Sequence, residues 1–218
     1  MQSDKNNLLE ISKAEANKWI RYGLQKNEED EVNNLLLVGN EDILMESFHK
    51  KLEFGTGGMR GLIGIGSNRI NSYTISLATQ GLCNYLNKVI YGNKSAVIAY
   101  DSRRFSKEFG NQTAKIFSAN NIKSYIFSDL RPTPELSFAV RELNCSCGIV
   151  ITASHNPKEY NGYKVYWNDG GQITSPHDNN IISEVEKITD FNQINFNFKS
   201  ELIEEIDNKI DKKYIEKI

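Results

Sequence analysis

The stretch GIVITASHNPKEYNGYKVYW, residues 148–167, contains two apolar runs separated by a polar loop. The first run, GIVIT, predicts a buried strand, so Ser154 should emerge at the carboxyl end of that strand, where open α/β sheets place their ligands. Both residues of Asn161-Gly162 tolerate positive φ and therefore permit a turn that brings Lys164 back towards Ser154. The stretch thus predicts a serine hydroxyl and a lysine ammonium at one edge of a sheet.

Short β-branched runs alternate with amphipathic helical stretches on both sides of this loop. The alternation is typical of an α/β protein, and it predicts a three-layer α/β/α domain on a mixed sheet. The predicted strands are residues 61–66, 96–101, 124–129, 148–154 and 163–167, and the predicted helices are residues 73–91, 107–120, a stretch starting near Pro134, and 177–188.

Three segments are expected along the chain. Residues 1–53 are predicted to be a helical N-terminal extension, because apolar residues recur there at helical spacing. The acidic stretch NEEDE, residues 27–31, is predicted to be a solvated connection between helices. Residues 54–190 are the predicted α/β domain with the serine, and residues 191–218 are expected to be a polar tail or the start of a connection to a second domain.

The composition argues against several classes of protein. With 26 basic and 28 acidic residues the formal net charge is -2, and neither sign forms a long block, so we expect no nucleic-acid partner and no membrane surface. No apolar run approaches the length of a membrane span, and the first residues lack the pattern of a secretory signal. Three cysteines, Cys83, Cys145 and Cys147, are an odd number that favours buried, reduced thiols. We therefore expect a cytoplasmic protein.

Ser154 is followed by His155, Asn156 and Pro157, which force a turn and set polar side chains beside the hydroxyl. A serine hydroxyl is a weak nucleophile, and a transferring phosphoryl group needs cations around it. A histidine and Lys164 close in the sequence meet part of that need. An arbitrary Ser-His pair would be better explained as a loop that ends a strand, but the length and order of the whole stretch favour a site.

A second glycine-rich stretch, FGTGGMRG, spans residues 54–61. Thr56, Gly57 and Gly58 surround a predicted turn that delivers Arg60, and such a turn can cradle a phosphate because glycine lets backbone N–H groups approach an anion. The arginine adds a bidentate donor for the same anion. A structural turn before a strand is the alternative interpretation.

The stretch TASHNPKEYNGYKVYW, residues 152–167, resembles the active-site serine loop of the phosphoglucomutase/phosphomannomutase superfamily, the α-D-phosphohexomutases. FGTGGMRG matches a second signature of that family. YDSRRFS, with Asp101 and Arg103, occupies a further family position, although these residues also suit a cap and a solvated side chain. The resemblance covers roughly residues 10–188, and the helical extension is similar to that of one subgroup. It implies the N-terminal domain I of such an enzyme.

The resemblance implies a role for each site residue. Ser154 would be the residue phosphorylated in the resting enzyme, with His155 as a supporting polar group and Lys164 near the transferring phosphoryl group. Arg60 would face the phosphoserine, and Asn156 and the FGTGGMRG turn would bind phosphate. Mg²⁺ would be bound by Ser154 through its phosphate, and a hexose 1,6-bisphosphate would be the activator.

Within these 218 residues we find no counterpart of the family's metal loop of alternating aspartates, of its Glu-x-Ser-Gly-His sugar loop or of its last phosphate-binding loop. The expected partners are therefore a phosphosugar substrate and the remaining domains of the same enzyme, and this chain alone is expected to be inactive. The expected reaction interconverts hexose 1-phosphate and hexose 6-phosphate, with phosphopentomutase activity as an alternative. A non-catalytic phosphosugar-binding or interaction module is a second alternative. The lack of a Gly-x-Ser-x-Gly elbow disfavours a serine hydrolase.

Overall fold

A computed structural model describes residues 2–217, so Met1 and Ile218, at the ends of the predicted extension and tail, lie outside the described residues. Within them, a mixed sheet of seven strands is covered by helices on both faces, which confirms the predicted three-layer α/β/α architecture. None of the helices described is long and apolar enough to cross a membrane. The strands are β1 (Phe54–Gly55), β2 (Gly58–Leu62), β3 (Ser95–Tyr100), β4 (Lys123–Ile126), β5 (Cys147–Ile151), β6 (Tyr160–Trp167) and β7 (Ile203–Glu205). The helices are α1 (Gln2–Arg21), α2 (Lys26–Leu35), α3 (Glu41–Phe48), α4 (Ser72–Val89), α5 (Ser106–Ala119), α6 (Thr133–Glu142), α7 (His177–Glu186) and α8 (Asp207–Ile215), with short 3-10 helices at Phe191–Gln193 and Ser200–Leu202.

The strand order is β1-β2-β6-β5-β3-β4-β7. β3 lies parallel to both β4 and β5, and β7 lies parallel to β4. β6 runs antiparallel to β5 and to β2, and its Tyr160 pairs with Leu62 at the end of β2. Because β3 and β5 are parallel neighbours, the loops that follow Tyr100 and Ile151 leave the sheet at the same edge. The end of β2 and the start of β6 lie at that edge as well.

β3 shows how both faces of the sheet are buried. Ala96, Ile98 and Tyr100 pack in the cluster that includes α4, α5 and α7, whereas Val97 and Ala99 pack in the cluster with α6 and α8. Each of these side chains is at most 1% exposed. The alternation follows from the two-residue period of a strand, and a large aliphatic side chain buried in this way contributes about 1.5–3 kcal/mol. The strands that lead into the loops at this edge are therefore buried in the core on both faces of the sheet.

α1, α2 and α3 pack around Trp19 in a third apolar cluster. The ring of Trp19 meets Phe48 edge to face at a centroid distance of 5.5 Å, and it lies 5.1 Å from Phe191. Phe191 in turn stacks on Tyr73 of α4 at 5.3 Å. These aromatic contacts attach the first three helices to the α/β domain.

The prediction of a solvated connection at residues 27–31 is wrong, because these residues lie within α2. The carboxylate of Glu28 accepts the backbone N–H of Gln25 at 3.1 Å and the hydroxyl of Tyr73 at 2.8 Å. Val32 of the same helix is fully buried in the third cluster. Acidic residues in the first turn also suit the positive end of the helix dipole. The stretch resembles a connection because the contacts that stabilise it as a helix come from residues far along the chain.

The strand predicted at residues 61–66 is displaced. β2 begins at Gly58 and ends at Leu62, which pairs with the first residue of β6. Beyond this pair β6 offers no further partner, and Gly64 and Gly66 have positive φ where the chain turns away. The β-branched pattern therefore identified the strand but not its ends.

The C-terminal segment carries more regular structure than its polar composition indicates. β7 extends the sheet beside β4, and α8 packs against α6. Arg131 donates to Asp211 through Nε at 2.8 Å and through Nη2 at 2.7 Å. Asp207 accepts the backbone N–H of Ser128 at 2.9 Å and its hydroxyl at 2.7 Å. These polar contacts fasten α8 to the α/β domain.

Candidate functional site

Ser154 lies in the loop between β5 and β6, here called the serine loop, residues 152–159. Its φ of 56° falls in the left-handed region, which costs a residue with a side chain about 1–2 kcal/mol. The hydroxyl of Thr152 accepts the backbone N–H of Ser154 at 3.0 Å. Ser154 is exposed at the edge of the sheet, so its hydroxyl is accessible to a ligand.

Lys164 approaches Ser154 from β6, and its Nζ donates to Ser154 Oγ at 2.6 Å. Burial lowers the pKa of Lys164, and the positive charge of Arg60 lowers it further, while Asp101 acts in the opposite direction. A lysine of lowered pKa gives up its proton more readily than an ordinary one. The pair is therefore suited to proton exchange between the ammonium and the serine oxygen.

Arg60 reaches the serine loop from β2, where its Nη1 donates to Asn156 Oδ1 at 2.7 Å. The contact depends on the close approach of β2 and β6 at Gly162, the residue that pairs with Arg60. A Cβ at Gly162 would lie 2.7 Å from Thr152 O and 2.8 Å from Met59 O, so a side chain would force these strands apart. The structure thus brings Arg60, Asn156 and the Ser154–Lys164 pair together.

The FGTGGMRG turn packs against protein. Gly57 O accepts the N–H of Val165 at 2.9 Å and the side-chain amide of Gln172 at 3.3 Å. Gly58 has a φ of 136°, and a Cβ there would collide with Tyr163 O. Thr56 is exposed in the turn between β1 and β2. The two glycines are therefore explained by strand packing, and phosphate binding by this turn stays a prediction.

A cleft of about 830 Å³ opens beside Ser154 and is bordered by Ser102, Arg103, Asn156 and Lys158, among others. Its volume lies within the range of ligand pockets, so a sugar phosphate would fit. His155 is exposed next to the serine. Three basic side chains border the cleft, Arg103, Arg104 and Lys158, together with two acidic ones, Asp101 and Glu159. The net charge of the border is therefore only slightly positive, and Arg103 is already paired with Asp101.

Arg103 is the residue of this region that sequence patterns did not assign to the site. It follows β3, and its Nη2 donates to Ser154 O at 2.9 Å and to Asn156 O at 2.7 Å. Arg103 and Ser154 are 51 residues apart, and no local motif links them. Two signals were available: the resemblance placed Asp101 and Arg103 at a family position, and each of Arg103 and Ser154 follows a buried strand, so that parallel pairing of the two strands would bring them to one edge.

The described part of the chain does not form a metal site from its own side chains. Residues 2–217 contain no group of three or more His, Cys, Asp and Glu side chains that could hold a metal ion. Cys145 and Cys147 are buried free thiols, and burial raises the pKa of Cys145 to about 11, so thiolate ligation is disfavoured. Mg²⁺ prefers oxygen ligands, of which Ser154 or its phosphate would be the contribution of this chain.

Comparison with known proteins agrees with this geometry. The family model described as phosphoglucomutase/phosphomannomutase, alpha/beta/alpha domain I, matches residues 51–192. Human phosphopentomutase is 41% identical over 181 residues, which are 79% of this chain and 30% of that protein. The phosphoglucomutase of Staphylococcus aureus is 45% identical over 149 residues, 68% of this chain and 27% of that protein. The chain thus spans about 30% of the length of the curated relatives it matches.

Two solved structures share the fold. A phosphoglucomutase/phosphomannomutase family protein from Burkholderia thailandensis matches with a TM-score of 0.60 at 22% identity, over 75% of this chain and 34% of that one. Parafusin, a phosphoglucomutase from Paramecium, matches with a TM-score of 0.55 at 24% identity, over 64% of this chain and 27% of that one. Because the family model matches more than half of the chain and includes Arg60, Ser154 and Lys164, the chain belongs to the phosphoglucomutase/phosphomannomutase family and contains its α/β/α domain I.

Proposed function

We propose that this chain is the phosphoserine-bearing domain of a phosphomutase that interconverts hexose 1-phosphate and hexose 6-phosphate through a bisphosphate. The observation that carries the proposal is the 2.6 Å hydrogen bond from Lys164 Nζ to Ser154 Oγ. A serine beside an ammonium of lowered pKa, with Arg60 contacting the same loop, suits a phosphoryl carrier. Because the chain spans about 30% of its relatives, we propose that other domains of the same enzyme complete the site.

The proposed cycle consists of two transfers. In the first, the bond from phosphorus to Ser154 Oγ breaks and a bond forms to the 6-oxygen of hexose 1-phosphate. That hydroxyl loses a proton and Ser154 Oγ gains one, so the products are the free serine and hexose 1,6-bisphosphate. In the second, the phosphoryl group on the 1-oxygen moves to Ser154 Oγ, the proton moves to the 1-oxygen, and hexose 6-phosphate is released. Added hexose 1,6-bisphosphate would phosphorylate a free serine by this second step and so act as an activator.

Lys164 is the proposed acid for the first transfer and the proposed base for the second. Its pKa is lowered by burial and by Arg60, which eases proton donation to the departing Ser154 Oγ. The exposed guanidinium of Arg60 would balance charge on the phosphoryl oxygens, as one preorganised donor among several. His155, exposed beside the serine, is proposed as a supporting polar group.

We propose that residues of other domains help to bind Mg²⁺. The described residues supply no carboxylate cluster, so the contribution of this chain is the phosphate of Ser154. When bound, Mg²⁺ would stabilise negative charge on the transferring phosphoryl group. The carboxylate ligands should therefore come from outside this chain.

A pentose phosphate is the second candidate substrate, because human phosphopentomutase is 41% identical over 79% of this chain. We place hexose phosphates first because the phosphoglucomutase of S. aureus has the higher identity, 45%.

We also propose a cytoplasmic location. The three cysteines are free and buried, which suits a reducing compartment.

Peptide mass spectrometry of the enzyme that carries this chain tests the proposal, after incubation with glucose 1,6-bisphosphate. We expect phosphate on Ser154, and we expect Ser154→Ala to remove nearly all conversion of glucose 1-phosphate, while Ser183→Ala, an exposed serine of α7, keeps it. Comparing kcat/KM for glucose 1-phosphate and ribose 1-phosphate separates the two substrates. Phosphate found on another residue alone, with Ser154→Ala fully active, would refute the carrier role. Binding of glucose 1-phosphate without phosphoserine or turnover would favour a non-catalytic module.

A further inference from the structure

Arg103 is bound to the serine loop and to the first residue of β6 through four N–H groups. Nη1 donates to Pro157 O at 2.8 Å and to Tyr160 O at 3.0 Å. Nη2 donates to Ser154 O at 2.9 Å and to Asn156 O at 2.7 Å. A guanidinium has five N–H donors in a rigid planar fork, so four of the five are committed to carbonyl oxygens of one loop and of the strand that follows it.

Asp101 forms an ion pair with the same guanidinium. Its Oδ2 lies 3.3 Å from Nε of Arg103, and its Oδ1 accepts the backbone N–H of Arg103 at 2.9 Å. The hydroxyl of Ser106, at the start of α5, donates to the same Oδ1 at 2.9 Å. The Arg103 side chain is 14% exposed. Asp101, directly after β3, therefore contacts the Nε side of the guanidinium, and backbone carbonyls of the serine loop and of Tyr160 contact its two Nη atoms.

The bonds within the serine loop are local: Ser154 N donates to Thr152 Oγ1 at 3.0 Å, and two turns are closed by Asn156 N to Ala153 O and Tyr160 N to Pro157 O, each at 3.1 Å. Such turns do not fix the loop relative to the rest of the sheet. Ser154 adopts a left-handed φ of 56°, a conformation that persists only where the surroundings over-determine it. Lys164 and Arg60 contact side chains of the loop, and Ile63 N donates to Glu159 O at its far end. Arg103 adds contacts to the backbone itself, on the carbonyl of Ser154 and on carbonyls further along.

We propose that Arg103 is a positioning residue for the phosphoryl carrier, holding Ser154 in the left-handed conformation that presents Oγ to Lys164. The inference rests on the function proposed above, in which Ser154 carries the phosphoryl group. The role differs from that of an anion-binding arginine, because four of the five N–H donors of Arg103 are bonded to carbonyl oxygens and the guanidinium is paired with the carboxylate of Asp101. Arg60, by contrast, approaches the loop from an exposed position on β2.

Arg103→Lys separates charge from geometry. Lysine keeps the positive charge, but its compact ammonium cannot span four carbonyl oxygens. We therefore expect the amides of Asn156 and Tyr160 to exchange with solvent at least about tenfold faster in this variant. The matched control is Arg141→Lys in α6, whose Nη1 donates to Ser137 Oγ at 2.8 Å, away from the loop. Both variants should melt within a few degrees of each other.

Amide exchange is measured by NMR on the chain, and kcat and KM are measured on the enzyme that carries it. For Arg103→Lys we expect kcat to fall about 10²-fold with KM nearly unchanged, the effect of a misplaced reacting group. In Arg103→Ala, ethylguanidinium should restore slow exchange and turnover, and ethylammonium should not. If Arg103→Lys does not fold, Asp101→Asn keeps the guanidinium but weakens its tether, and it should loosen the same amides by a smaller factor.

Unchanged exchange in Arg103→Lys, or equal rescue by ethylammonium, would overturn the inference, because charge without the fork would then suffice. A loosened loop with full kcat would also overturn it while leaving the phosphoserine function standing. The absence of phosphate on Ser154 in the wild-type enzyme would instead overturn the proposed function. The mass spectrum and the exchange rates therefore distinguish the two failures.

Discussion

Glu135→Gln should make the protein more stable above neutral pH. Glu135 lies in the first turn of α6 and is 5% exposed. Burial, and then the carboxylate of Asp211, raise its pKa from 4.5 to about 7, against the opposing charge of Arg131. The glutamate thus sits beside the ion pair that fastens α8, 3.9 Å from Arg131 Nε.

The direction of the pH dependence of stability follows from proton binding. The folded state holds the proton of Glu135 more tightly than the unfolded state, so the stabilisation is complete below pH 4.5 and is lost as pH rises through about 7. A carboxyl whose pKa moves from 4.5 to about 7 changes the free energy of unfolding on the order of 3 kcal/mol over that interval. Asp211 has a lowered pKa, so its stabilisation is lost at lower pH, as the pH falls below its ordinary value of 3.8. The loss of stability between pH 4.5 and 7 is therefore expected from the Glu135–Asp211 pair, through the proton that burial and Asp211 hold on Glu135.

Urea unfolding at pH 4.5 and pH 8 measures the effect. Glutamine is neutral at both values and can still donate to Asp211, so the wild type should lose about 3 kcal/mol relative to Glu135→Gln between the two. Glu10→Gln, which alters an exposed pair with Lys13, should shift stability by less than about 1 kcal/mol at either pH. An equal effect of Glu135→Gln at both pH values would show that this pKa is not raised, and the reasoning would fail.

Gly58→Ala should destabilise the fold by about 2–4 kcal/mol in urea unfolding, because the new Cβ would collide with Tyr163 O at a positive φ. Gly55→Ala is the control, since its Cβ would have its nearest contact at 3.8 Å, and equal losses in both would contradict the packing argument. Arg60→Met should raise the pKa of Lys164 by removing a neighbouring positive charge. Titration of the Lys164 ε-carbon by ¹³C NMR checks this, and an unchanged or lower pKa would exclude the coupling.

The centre of the site was predictable from local sequence. Ser154 and Lys164 are 10 residues apart, and two consecutive strands joined by the serine loop bring such neighbours together. The turn predicted at Asn161-Gly162 is wrong, because both residues lie within β6 and pair with β2, so the chain reverses earlier, in the serine loop. Periodicity also identified the layers, since a run such as CGIVI in β5, buried at every position, requires cover on both faces of a sheet. Fold class and the position of the serine therefore follow from patterns that span fewer than about 20 residues.

Local sequence patterns could not predict the contacts that side chains make across the sheet. Arg60 meets Asn156 across 96 residues, and Arg103 meets Ser154 across 51. For the same reason, local patterns did not predict α2 and α8. Glu28 of α2 accepts a hydrogen bond from Tyr73, and Asp211 of α8 accepts one from Arg131, and both partners lie far along the chain. An apolar run shows that a strand exists and which of its faces are buried. It does not show which strand lies beside it, because pairing depends on how all seven strands and both helical layers bury their apolar surface together.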